Sequence, residues 1–193
     1  MTSQIRTHDP VTLEEMPKYD LFLSQVIDFL NEYFPEEHFT GNMIQNYIKS
    51  EVITKPIDRK KRGYTRMHLI QLVFLCYMRP ILTTDEIKKV FALAFNEINQ
   101  PEDDIITWEE AYRVFLLIYR SASEASDIPL EGGDQQIERY LDELEIKDSF
   151  DQIRMFIQVL ILVTRATELK RRVQLVISSD HQSAGSSVQQ PAR

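Results

Sequence analysis

Residues 40–78 read TGNMIQNYIKSEVITKPIDRKKRGYTRMHLIQLVFLCYM, passing from a polar-faced helix through a basic turn into a strongly apolar helix. In the first piece Asn42, Gln45, Asn46 and Lys49 stand at i, i+3, i+4 and i+7, which is one helical face. Met43, Ile44, Tyr47 and Ile48 take the opposite face. Thr40 is a good N-cap, so a helix is expected over about 41–50. Val52, Ile53 and the residues around Pro56 and Gly63 are β-capable, which predicts a two-stranded ribbon or an extended loop. Thr65 then caps MHLIQLVFLCYM, which stops before Pro80.

Charge sets this stretch apart. Residues 40–66 hold seven basic side chains and two acidic ones, a net +5, in a chain of net −8; everything outside the stretch sums to −13. Arg59, Lys60, Lys61 and Arg62 are consecutive like charges that no packing requires. A phosphate backbone would relieve their repulsion, and counterion release would drive its binding. The polar face suits the same partner. Ordinary solvated helices use Glu and Lys, whereas two Asn and one Gln can donate to and accept from a base edge at once. Asn42, Gln45, Asn46 and Lys49 are therefore the candidate base contacts, and Thr40, Lys55, Arg59, Lys60, Lys61, Arg62, Tyr64 and Arg66 the candidate phosphate contacts. Gly41, lacking a side chain, would let backbone N–H groups meet a phosphate at the helix start.

Outward from this stretch the chain is helical. Leu21, Phe22, Val26, Phe29, Leu30 and Tyr33 share one side of a helix that opens at Pro17 and ends at Pro35. Thr83 with Glu86, and Thr107 with Glu110, have capping-box spacing at the starts of two further helices. Residues 135–147 read as a polar helix and 149 to about 177 as a long apolar one. In the last, Phe150, Ile153, Phe156, Ile157, Leu160, Ile161, Val163 and Leu169 wrap around more than one face, which predicts a homodimer. Residues 1–16 read as a flexible arm, 17–120 as a winged-helix, DNA-binding-like domain, 121–177 as a C-terminal helical extension for dimerisation and 178–193 as a disordered tail.

Helix, turn, polar helix, basic ribbon, helix is the order of a winged helix-turn-helix. The T-x-x-M-I-x-N-Y-x-K core (Thr40, Met43, Ile44, Asn46, Tyr47, Lys49) and the following Lys55–Pro56 resemble the bacterial family called domain of unknown function 1836, over roughly residues 17–120. More distantly, Tyr47, Val52, Ile53, Gly63, Tyr64 and Arg66 occupy places similar to those of the DNA-binding half of MerR-type regulators, although Glu51 stands where that pattern has glycine. The resemblance implies a mainly α fold, a MerR-like winged helix-turn-helix followed by additional packed helices, and binding to double-stranded DNA in transcription regulation.

Other functions find little support. His8, His38, His68 and His181 are scattered without metal-ligand spacing, and His68 is expected to pack or cap. NQPEDDIITWEE, residues 99–110, has Pro101 and Asp104 where a calcium loop needs a carboxylate and a glycine. Cys76, in an apolar run, reads as a small buried hydrophobe. No cofactor, metal or enzymatic activity is expected, the apolar runs are too short to span a bilayer, and a cytoplasmic location is expected. The rival reading is a non-enzymatic adaptor whose basic tip docks an acidic protein.

Overall fold

The structure, a computed structural model, describes residues 10–56, 62–100, 104–124, 132–143 and 150–185. Among them run seven α-helices and no strand: α1 (Leu23–Tyr33), α2 (Gly41–Lys49), α3 (Arg66–Met78), α4 (Thr84–Phe91), α5 (Trp108–Glu124), α6 (Gly132–Glu143) and α7 (Phe150–Gly185). The fold is mainly α, as the sequence implied.

α3 is the axis of the molecule. A helix apolar on every side must be buried on every side, and His68 through Met78 are all buried. α1, α5 and α7 pack directly against α3, α2 rests on α1, and α4 and α6 pack on α7. Phe74 lies at the centre of an aromatic cluster with its ring near Trp108, Tyr112, Phe115 and Phe156. Cys76 lies fully buried in this core, and its burial pushes the thiol pKa up.

Both expected capping boxes form. The Glu86 carboxylate accepts from the Thr83 N–H at 2.7 Å, and the Thr83 hydroxyl accepts from the Glu86 N–H at 3.4 Å. Thr107 and Glu110 repeat the exchange at the head of α5, at 3.1 and 3.2 Å.

Several boundaries differ from the sequence reading. Residues 10–16 are no loose arm: Val11, Leu13 and Met16 are buried. The Val11 N–H donates to the Tyr77 hydroxyl at 3.3 Å, and the Tyr112 hydroxyl donates to the Val11 carbonyl at 2.5 Å. α1 starts at Leu23, not at Pro17, because Leu21 is held extended in a bridge to Tyr64 and the Phe22 N–H is capped by the Gln25 side chain at 3.0 Å. α6 sits three residues earlier at its start than expected and is described to Glu143. α7 continues to Gly185, so residues 178–185 of the supposed disordered tail are helical; residues 1–9 and 186–193 lie outside the described residues.

Candidate nucleic-acid interface

Four local devices fix α2 and the turn that follows it. At its entry, Asn31 of α1 clasps Phe39: its amide donates to the Phe39 carbonyl at 3.0 Å and accepts from the Phe39 N–H at 2.7 Å. The Thr40 hydroxyl then accepts from the Met43 N–H at 3.4 Å, as an N-cap should.

At its exit, Glu51 has φ +55°. The Val52 N–H reaches back to the Tyr47 carbonyl at 2.9 Å and the Glu51 N–H to the Ile48 carbonyl at 3.1 Å. This pair of bonds is the Schellman termination, whose left-handed residue is ordinarily glycine. Glu51 therefore stands in a conformation that explains why a glycine would be expected at its position.

Beyond the exit, the chain is tied to the core. Gln71, in the middle of α3 and fully buried, accepts from the Thr54 N–H at 2.9 Å and donates to the Thr54 hydroxyl at 2.7 Å. That hydroxyl donates in turn to the Ile98 carbonyl at 2.7 Å, and the Lys55 N–H is taken by Asn99 at 2.9 Å. Sequence reasoning passed over Gln71, although a lone amide inside an apolar helix signals a buried polar partner.

On the return, Leu21 and Tyr64 form an isolated antiparallel bridge, with N–H to carbonyl distances of 2.8 and 3.3 Å. Residues 57–61, the tip of the expected two-stranded ribbon or extended loop, lie outside the described residues; on the return side Tyr64 pairs with Leu21, just before α1. His68 caps the start of α3: its Nδ1 accepts from the Thr65 N–H at 3.0 Å. Its Nε2 is buried with no hydrogen-bond partner. Burial lowers the His68 pKa, so the ring is held neutral, and its role is to pack and cap as expected.

These anchors present the candidate residues as follows. Asn42, Gln45, Asn46 and Lys49 are all exposed on one face of α2, with Ile44 and Ile48 buried beneath. The Gln45 amide donates to the Tyr64 hydroxyl at 3.2 Å, which links this face to the return limb. Lys55 is exposed. Arg62 is exposed, with its guanidinium 4.9 Å from the centre of the Phe22 ring. Arg59, Lys60 and Lys61 lie outside the described residues.

Three expectations change. Tyr64 is only 5% exposed, and its hydroxyl is engaged by Gln45, so it braces the limb instead of reaching a phosphate. Burial raises its pKa. Arg66 is part-buried; its Nη2 donates to the Leu13 carbonyl and its Nη1 lies 3.9 Å from Glu109, so its guanidinium is committed within the chain. At Gly41 an added Cβ would meet Leu23 and Ile27 of α1 at 3.5 and 3.8 Å, so the missing side chain faces α1 and does not open the helix start to a ligand.

The family model described as Domain of unknown function (DUF1836) matches residues 11–115, more than half of the chain. The chain belongs to this family. The DUF1836 match begins at Val11, which is buried in the core, and ends within α5, so α6 and α7 lie outside it. No curated protein and no solved structure matches the chain. Among the described residues, no three His, Cys, Asp or Glu side chains come together as a metal site, and no helix is long and apolar enough to cross a membrane.

Proposed function

We propose that this DUF1836 protein is a non-enzymatic, cytoplasmic DNA-binding regulator of winged helix-turn-helix type. The observation that carries the reading is the exposed amide face of α2, Asn42, Gln45, Asn46 and Lys49, in a stretch that also exposes Lys55 and Arg62. α2 would lie in the major groove, with Asn42, Asn46 and Lys49 toward base edges. Gln45 has its amide nitrogen on Tyr64, which leaves its carbonyl oxygen as an acceptor. Thr40, Lys55, Arg59, Lys60, Lys61 and Arg62 would hold phosphates. The adaptor alternative rests on the same basic turn, but it leaves the amide face without a use.

A homodimer fits this reading, because two-fold pairing doubles a small footprint on DNA. The support is a seam on α7. Ile153, Phe156, Ile157, Leu160, Ile161 and Val163 are buried within the chain, so they are not what another copy would cover. Met155, Leu162, Leu169 and Val176 recur every seven residues and are 51, 47, 62 and 69% exposed. Val159, Ala166 and Val173 fall between them at the complementary spacing. Alternating steps of four and three with Val and Leu at the two seam positions are the pattern of a two-stranded coiled coil. A second copy of α7 is the occupant that supplies the same period.

The test is the salt dependence of binding to non-specific duplex DNA. Contact with about four to six phosphates per protomer gives a slope of log affinity on log salt of roughly −4 to −5. No binding at low salt, or a flat response, would overturn the reading.

A further inference from the structure

We propose that a cleft between residues 13–18 and α5 binds a small organic anion, a carboxylate or phosphate group joined to an apolar body. This inference stands apart from the DNA reading and does not use α2. The cleft has a volume of about 300 Å³ and is walled by Lys18, Arg66, Arg113 and Arg120, with Glu14 as its one acidic residue. With Arg66 already paired to Glu109, Lys18, Arg113 and Arg120 still set three cations against the Glu14 carboxylate, in a chain of net −8.

The helix geometry explains how the cations meet. Arg113 and Arg120 are seven residues apart on α5 and so share a face. Leu116 and Leu117 lie between them, and Leu13 faces them from the other wall. Arg66 locks that wall in place by donating to the Leu13 carbonyl. Its Nε is buried with no hydrogen-bond partner. Among the described residues, Lys18, Arg113 and Arg120 have no ion-pair partner, although Glu109 and Glu110 stand within one turn of Arg113.

The lining decides the ligand class. Cations alone would suit a bare phosphate or a nucleic-acid backbone. The leucines add an apolar surface that neither would use, while a pocket of this size with convergent polar groups suits a small molecule. The charged head belongs between Arg113 and Arg120, and the body against Leu116 and Leu117.

Amide chemical shifts of the full chain, titrated separately with phenyl phosphate, benzoate and inorganic phosphate, test the site. Phenyl phosphate or benzoate should give a saturable response at the amides of Leu13, Arg66, Arg113, Leu117 and Arg120. The tighter of the two identifies the head group. Burial of one ring makes that ligand about tenfold or more tighter than inorganic phosphate. Arg113→Gln with Arg120→Gln should weaken it about tenfold, and both positions are exposed, so the fold is retained. Leu117→Ser should weaken the aromatic ligands and leave inorganic phosphate unchanged. Equal binding of inorganic phosphate, or unchanged affinity in the double variant, would overturn the proposal, as would the absence of any saturable response.

Discussion

Replacing Gln71 with Leu tests how the segment after α2 is tied to the core. The residue is fully buried, and its amide makes two bonds to Thr54, at 2.9 and 2.7 Å. Leu is close to Gln in volume, so the cavity contribution is small. The main cost is the Thr54 N–H, which would remain buried without an acceptor; such a group costs about 1–3 kcal/mol. The Thr54 hydroxyl keeps its own bond to the Ile98 carbonyl and loses only an incoming donor, about 0.5–1.5 kcal/mol. The added apolar burial offsets part of this, which leaves a destabilisation of about 2 kcal/mol. Urea unfolding should show a lower midpoint at unchanged slope, because the surface exposed on unfolding is the same. Hydrogen exchange of the Thr54 amide should accelerate at the same time. A loss below about 0.5 kcal/mol, with the Thr54 amide still protected, would refute the clasp as a structural tie.

Three other outcomes are expected. Glu51 occupies a left-handed position, so Glu51→Gly should be more stable than Glu51→Ala by about 1 kcal/mol in urea unfolding; equal stabilities would contradict the termination described for α2. The folded pKa of His68 lies below its unfolded value, so between the two the unfolded chain binds more protons and stability falls as pH drops below about 6.5. His68→Gln, which keeps an acceptor for the Thr65 N–H, should flatten that part of the stability–pH curve, and an unaltered curve would exclude His68 as its source. On α7, Leu169→Glu with Val173→Glu should turn a sedimenting dimer into a monomer without loss of folding, since both side chains are exposed; a wild-type monomer at micromolar concentration, with or without DNA, would remove the seam.

The legible parts of the fold were those written in local chemistry. Thr40, Thr83 and Thr107 announced three helix starts because an N-cap acts within one turn. α3 was legible because a run apolar on every side admits one solution, burial. The misreadings share a cause in distant partners. Leu21 and Phe22 fit the helical spacing of α1, yet pairing of Leu21 with Tyr64, far along the chain, keeps them extended. Val11, Leu13 and Met16 sit among polar residues with no helical or strand period, and the partners that hold this segment, Tyr77 and Tyr112 on Val11 and Arg66 on Leu13, are distant in sequence. At the candidate site, the exposure of Asn42, Asn46 and Lys49 followed from helical spacing. The commitments of Tyr64 to Gln45, and of Arg66 to Leu13, could not follow from composition, because charge and residue type do not reveal who is already engaged. Of the seam on α7 the sequence reading named Leu169 alone, because its Met, Val and Ala positions are less conspicuous than the Phe and Ile that the core consumes.

The central claim is that α2 reads DNA, and selection of bound duplexes from a random-sequence pool tests it most directly, run in parallel with wild type and Asn46→Ala. Asn46 is exposed, and the bonds that define the end of α2 use its carbonyl and not its side chain, so the variant keeps the fold. The account predicts enrichment of a defined site by wild type. It also predicts that Asn46→Ala loses preference at one base position, by about 1–3 kcal/mol, while its affinity for random DNA is kept. No enriched site with wild type, or an identical site with Asn46→Ala, would contradict it.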